Sequence, residues 1–183
     1  MHSNFRAAAL AMGLAFVVVP AFAADPMVGG AAMSPAKDIV DNAMNSKDHT
    51  TLVAAVKAGG LVDTLKGKGP FTVFAPTNAA FAALAAGTVD TLLKPENKPA
   101  LTKVLTYHVV AGKVLAADLV KMINDGKGKA TLKTVAGGSL TATMTGNVVT
   151  LTDEKGATGH VTIADVVQSN GVIHVVDKVL LPN

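Results

Sequence analysis

The spacing of apolar residues changes character once along the chain, at Tyr107, and that change restricts the fold more than any other feature. Before Tyr107 the spacing is helical. Ile39, Val40, Ala43 and Met44 recur on one face of a 3.6-residue period, and Leu52, Val53 and Val56 form a second stripe. Gly59 and Gly60 end that stripe, as glycine does where a helix must stop in a left-handed conformation. Leu61, Val62 and Leu65 add one more apolar turn. Further helical stretches are expected at 89–93 and 95–106, with Pro95 and Pro99 placed early, where a missing N–H does least harm. Beyond Tyr107 the segments 131–135, 139–145, 148–152, 160–163 and 172–176 alternate or run β-branched, separated by Gly-Gly, Gly-Asn and Asn-Gly turns. Leu140, Ala142 and Met144 alternate with Thr141, Thr143 and Thr145, the pattern of a sheet wet on one face. One early strand is expected at 71–75. Helices therefore mostly precede strands, which makes the class α+β; a doubly wound parallel sheet needs a regular alternation that is missing.

The first residues read as an address rather than as part of the fold. Arg6 is the only Lys, Arg, Asp or Glu before Asp25, and the apolar stretch 7–19 runs into Pro20 and then Ala21-Phe22-Ala23. A positive start, about a dozen apolar residues and small residues at the cleavage positions describe a secretory signal peptide, here 1–23. A membrane anchor needs about 20 apolar residues, and Asp25 arrives too soon. The expected product is exported, to a periplasm or the medium, with no integral membrane segment. Residues 24–35, rich in Gly and Pro, read as a flexible lead-in. Residues 36–183 show no internal repeat and read as one domain. A chain of this length buries roughly 68–70% of its unfolded surface. The complete absence of cysteine therefore poses no stability problem, and it removes disulfides, thiolate metal sites and cysteine nucleophiles together. The 16 basic and 13 acidic residues are spread along the sequence, so no nucleic-acid partner is expected.

Three segments carry a resemblance. They are Thr72-Val73-Phe74-Ala75-Pro76-Thr77-Asn78-Ala79-Ala80-Phe81, then Leu105-Thr106-Tyr107-His108-Val109-Val110, and then Asp165 through Pro182 with Asn170-Gly171-Val172-Ile173-His174-Val175-Val176-Asp177 inside it. In this order and spacing the chain resembles the fasciclin domain. The resemblance implies a wedge of twisted β-sheets flanked by several α-helices, with no cofactor and no catalysis, acting in adhesion or matrix interaction. It implies a protein or surface-polysaccharide partner. It marks Phe74, Pro76, Thr77, Asn78, Phe81, Asn170, Gly171, His174 and Asp177 as structural motif residues. In animal members a tyrosine–histidine motif and an aspartate followed by aliphatics are linked to integrin binding; they match Tyr107, His108 and Val109, and Asp165, Val166 and Val167. Ala164 stands where those animal motifs carry a polar residue or proline. Pigment-binding relatives imply an alternative, carriage of a small lipophilic ligand in the cleft between helices and sheet.

At single residues the structural readings come first. Phe71, Phe74, Phe81 and Tyr107 are expected to anchor the core, since each ring buries roughly 150–250 Å². His108 is expected to be a neutral imidazole held by Thr77 or Asn78. No nucleophile motif accompanies it, so no catalytic residue is assigned. His160, His174 and Asp165 match no compact ligand spacing, and no metal is expected. Gly67-Lys68-Gly69 lacks the remaining residues of a phosphate loop. Lys66, Lys68, Lys127 and Lys129, set among glycines, read as solvated loops.

Overall fold

In the computed structural model, residues 24–183 are described, and residues 1–23, which the sequence reads as a signal peptide, lie outside them. The lead-in departs from expectation. Strands β1 (Met27–Val28) and β2 (Ala31–Ala32) pair antiparallel around Gly29 and Gly30, both at positive φ. Two glycines with φ > 0 make the turn whose twist suits a hairpin. Val28 and Met33 are 3% and 2% exposed, so this segment is packed rather than free.

Helix α1 (Ile39–Asn45) starts at Asp38, whose carboxylate accepts from the Asp41 N–H at 2.8 Å. A 3₁₀ turn (Lys47–His49) leads into α2 (Thr50–Gly59), which ends at Gly60 with φ 70°, as the double glycine suggests. Then come α3 (Val62–Lys66), β3 (Phe71–Pro76), α4 (Asn78–Ala82), α5 (Thr88–Leu93), α6 (Lys98–Tyr107) and β4 (Val109–Ala111). Helix α7 (Ala116–Asp125) is an element that the sequence reading leaves out. Its buried signal is only Leu119 and Ile123, a pair too short to stand out between Gly112 and Gly126. The strands β5 (Lys129–Lys133), β6 (Ser139–Thr145), β7 (Val148–Thr152), β8 (Thr158–Gln168) and β9 (Gly171–Val176) complete the chain.

Seven strands form one sheet in the order β4-β3-β9-β8-β7-β6-β5. Only β3 and β9 run parallel. Val110 bridges Thr134, and the Val135 N–H donates to the Val109 carbonyl at 2.8 Å, so the twisted sheet curls until its two ends touch. The long β8 makes the curl: two register shifts, with Asp165 at φ 58°, let it pair with β7 at one end and β9 at the other.

Two cores follow. The helices, from Ile39 and Val40 to Leu101 and Leu105, cover one face of β3 and β9 through Val73, Ala75, Ile173 and Val175. Inside the curl, Phe74, Tyr107 and Val176 meet Leu119, Ile123, Leu140 and Leu151. Strand β9 is buried at all six positions, its valines and Ile173 covered on both faces and His174 buried among them.

Candidate functional site

The three motifs converge. Strands β4, β3, β9 and β8 are consecutive in the sheet, so segments about 40 to 100 residues apart lie side by side. Phe74 pairs in register with His174, and their rings stack at 5.6 Å with 24° between planes. The Phe74 N–H donates to the His108 carbonyl at 2.9 Å, joining the first motif to the second.

His108 holds the second motif to the third, and this corrects the expected partners. Its Nδ1 donates to the Val104 carbonyl at 2.8 Å, and its Nε2 accepts from the Leu180 N–H at 2.9 Å. Thr77 and Asn78 are engaged elsewhere. The Thr77 hydroxyl accepts from the Ala80 N–H at 3.2 Å and caps α4; Asn78 accepts from the Thr51 N–H at 3.0 Å and donates to the Lys47 carbonyl at 2.8 Å. Burial pushes the His108 pKa down to about 4, against the pull of the Val104 carbonyl and Asp153. His174 has the opposite tautomer, with Nε2 donating to the Val114 carbonyl at 2.8 Å and Nδ1 accepting from the Asp165 N–H at 3.3 Å. Its pKa is also lowered, chiefly by burial. Both rings are committed to backbone groups at either nitrogen.

Tyr107 is fully buried inside the curl. Its hydroxyl donates to the Ser139 carbonyl at 2.7 Å and accepts from the Glu154 N–H at 3.1 Å. Burial raises its pKa to about 12, so the phenol stays a donor at neutral pH. Asp153 and Glu154, which the sequence reading passes over, bind the chain end: Asp153 Oδ2 accepts from the Leu181 N–H at 2.9 Å and Glu154 Oε2 from the Asn183 N–H at 3.2 Å. Tyr107→Phe removes one partner from each of two backbone groups and is expected to cost about 1–3 kcal/mol in urea unfolding. Partner binding should not change.

The residues linked to partner binding by resemblance separate into two groups. Tyr107, His108, Val109 and Val166 are buried, so a partner docking on this surface does not reach them. Asp165 is exposed and Val167 half-buried. Even Asp165 has a structural tie: its Oδ1 accepts from the Ala116 N–H at 2.7 Å, at the start of α7, where a helix favours negative charge.

The motif residues of the third segment act as fasteners. Asn170, 8% exposed, accepts from the Ile39 N–H at 3.1 Å and donates to the Leu65 and Gly67 carbonyls at 2.6 and 2.9 Å. Asp177 accepts from the His160 N–H at 2.7 Å and faces its ring Nδ1 at 3.2 Å. His160 thus meets Asp177 at the surface, while His174 stacks on Phe74 in the interior. Asn42 bonds Gln168 between α1 and β8, a further buried contact with no sequence motif behind it.

Away from the motifs, the outer face of β5–β8 is polar and in register. Thr131, Thr141, Thr152 and Thr158 form one row across four strands, and Lys129, Thr143, Thr150 and His160 form the next. Leu132, Leu140 and Leu151 point the other way, into the core.

Comparison with known proteins agrees with this geometry. The fasciclin domain family matches residues 47–182. The Synechocystis protein sll1483 is 50% identical over 158 residues, covering 85% of this chain and 79% of that protein. Immunogenic protein MPB70 of Mycobacterium bovis is 36% identical over 200 residues, covering 98% and 94%. Transforming growth factor-beta-induced protein ig-h3 of Sus scrofa is 32% identical over 148 residues, where 81% of this chain spans 20% of the longer protein. Among solved structures, the fasciclin domain pair of the insect cell adhesion molecule fasciclin I superposes with a TM-score of 0.71 at 19% identity, over 80% of this chain and 51% of that one. Motif order, sheet topology and these matches lead to one conclusion: the chain belongs to the fasciclin domain family.

Proposed function

We propose that the protein is an exported, non-catalytic interaction module that supports adhesion by binding a surface polymer or protein. The observation that carries this reading is the threonine face of β5–β8. Strands lie about 4.8 Å apart, so the row Thr131, Thr141, Thr152 and Thr158 presents hydroxyls at that interval, while in the next row the Thr150 hydroxyl is buried and bonded to Thr145. A repeating polysaccharide offers hydroxyls at comparable intervals, and Lys129 and Lys133 on the same face add attraction for acidic sugars. Export is supported by the leader-like sequence and by a relative named cell surface glycolipoprotein MPB83, 34% identical over 164 residues. Among the described residues no helix is long and apolar enough to cross a membrane. Asp165 and Val167 lie on a different part of the surface and suit a protein contact instead.

The test is a triple variant, Thr131→Ala, Thr141→Ala and Thr152→Ala, assayed on envelope polysaccharide from the native host. Binding is expected to fall at least tenfold, while the melting temperature stays close to that of the parent because the changed side chains lie off the core. Unchanged binding with an unchanged melting curve rejects the threonine face as the docking surface.

A second reading is carriage of a small lipophilic ligand, favoured by an apolar cavity of about 40 Å³ between the helices and the β3–β9 face. Native mass spectrometry of protein purified from its own host checks it; a retained hydrophobic species is the expected result.

A further inference from the structure

We infer that Asn170 is a covalent modification site, closed in the native fold and opened by unfolding, whose principal product cannot re-enter the fold. The inference is independent of what the protein binds.

Asn170-Gly171 is the one Asn-Gly pair in the sequence. Gly171 has no Cβ, so in an unfolded chain nothing shields its backbone nitrogen from the Asn170 side chain. The nitrogen attacks Cγ. The N–Cγ bond forms, the Cγ–Nδ2 bond breaks, and the proton of the attacking nitrogen leaves with the amide group as ammonia. The cyclic imide then takes up water at one of its carbonyl carbons, and the carbon–nitrogen bond at that carbon breaks. Water at Cγ gives aspartate; water at the main-chain carbon gives isoaspartate, in which the main chain runs through Cβ and Cγ. The α-nitrogen withdraws electrons from the main-chain carbonyl and makes it the better electrophile, so isoaspartate predominates. Water is consumed, ammonia is released, and nothing is oxidised or reduced.

The native structure withholds the movements this chemistry needs. The Asn170 side chain, 8% exposed, accepts from the Ile39 N–H and donates to the Leu65 and Gly67 carbonyls, which ties Cγ to the start of α1 and the end of α3. The peptide plane that carries the attacking nitrogen is fixed as well. The Asn170 carbonyl accepts from the Phe71 N–H at 3.0 Å, and Gly171 is paired with Gln168 on one side and Phe71 on the other. Gly69 closes the remaining space, since a Cβ on it would lie 2.2 Å from the Asn170 carbonyl oxygen. Cγ reaches the Gly171 nitrogen only when the side-chain bonds are given up together, which takes apart the junction of α1, α3, β3 and β9.

The products do not fit that junction. Isoaspartate adds a carbon to the main chain between Gly69 and Phe71, where even a methyl group on Gly171 would meet the Phe71 carbonyl oxygen at 2.0 Å. Aspartate keeps an acceptor for the Ile39 N–H but has no donors, and it sets a carboxylate against the Leu65 and Gly67 carbonyls. Its damage therefore exceeds that of Asn170→Ala. Conversion runs one way, and a chain that stays unfolded long enough is lost from the native pool.

The test incubates the mature protein at pH 8, in buffer and in guanidinium chloride, and follows the peptide that holds Asn170 by mass spectrometry. Conversion in buffer is expected to be at least about a hundredfold slower than in denaturant, the ratio for three hydrogen bonds given up before attack. The denaturant is then diluted out after increasing times. The yield of native circular dichroism should fall in step with conversion, and the refolded fraction, isolated by size exclusion, should contain no isoaspartate. Asn170→Asp, made directly, should melt below Asn170→Ala. Equal rates in the two media overturn the closed site. Isoaspartate in the refolded fraction, or an Asn170→Asp protein that melts with the parent, overturns the exclusion of the products.

Discussion

Replacing Gly171 by alanine is expected to leave little folded protein. Gly171 opens β9 and lies against Phe71 of β3, its partner in the single parallel pairing of the sheet. A methyl group on its Cα would meet the Phe71 carbonyl oxygen at 2.0 Å and the Phe71 nitrogen at 2.9 Å. Overpacking against side chains costs typically about 1–3 kcal/mol because side chains can turn aside. Here the obstacle is hydrogen-bonded backbone at the first pair of the β3–β9 ladder, so the cost lies above that range. The neighbouring substitution Asn170→Ala acts differently. It strands the Ile39 N–H and the Leu65 and Gly67 carbonyls, three groups at about 1–3 kcal/mol each before water repairs some of the loss. A net of about 3–5 kcal/mol is a large share of the roughly 5–15 kcal/mol a domain holds. At this size it lowers the melting temperature by roughly 10 °C or more. Ser169→Ala is the control, since its side chain is exposed and only its backbone N–H bonds Lys37. Thermal unfolding followed by circular dichroism should rank the three as Gly171→Ala, Asn170→Ala, Ser169→Ala in order of damage. A Gly171→Ala protein that melts with the parent contradicts the close approach of β3 and β9.

This Asn-Gly pair shows what the sequence made legible and what it did not. As a dipeptide between apolar runs it announces a turn, and a turn is what lies between β8 and β9. Its side chain reaching α1 and the end of α3, more than 100 residues away, leaves no local trace. The same division runs through the molecule. Strands with one wet face were readable, because Thr141 and Leu140 must face opposite ways once a strand forms. The glycines and prolines of 24–35 suggest a flexible lead-in, although Gly29 and Gly30 also permit the turn that seats Val28 and Met33 in the core. His108 is expected to be held by Thr77 or Asn78, yet its ring partners are the backbone of Val104 and Leu180. Backbone groups are the same at every position, so no residue type could point to them. The burial of His49 leaves no local trace for a related reason. A histidine after Lys-Asp looks solvated, and only the closure of α1 and α2 over β3 buries it.

Those buried histidines lead to the second large effect: the protein should lose stability as the pH falls from about 6.5 to about 4. His49, His108 and His174 all have pKa values lowered in the folded state, in each case chiefly by burial. In the unfolded chain each titrates near the ordinary value of about 6.5. Above that value both states are neutral and the stability is fully present. Below it the unfolded chain binds protons that the folded protein refuses, so stability falls with pH. For His108, with a folded value of about 4, the loss runs from about pH 6.5 and levels off below about pH 4. Its size is about 3 kcal/mol, from 1.36 kcal/mol per unit of displacement. Asp153, the carboxylate acting on His108, restrains the loss without reversing it, as Asp48 does for His49 and Asp165 for His174. Urea unfolding at pH 7.5 and 4.5 measures the effect. The parent should lose several kcal/mol between the two, and His108→Gln, which cannot take up a proton, should lose about 3 kcal/mol less. The variant starts from a lower stability at pH 7.5, because glutamine cannot span the Val104 carbonyl and the Leu180 N–H as the imidazole does. The two curves therefore converge in acid. Parallel curves would mean that His108 keeps an ordinary pKa, and with it enough contact with water to undo the burial on which the link between α6 and the chain end depends.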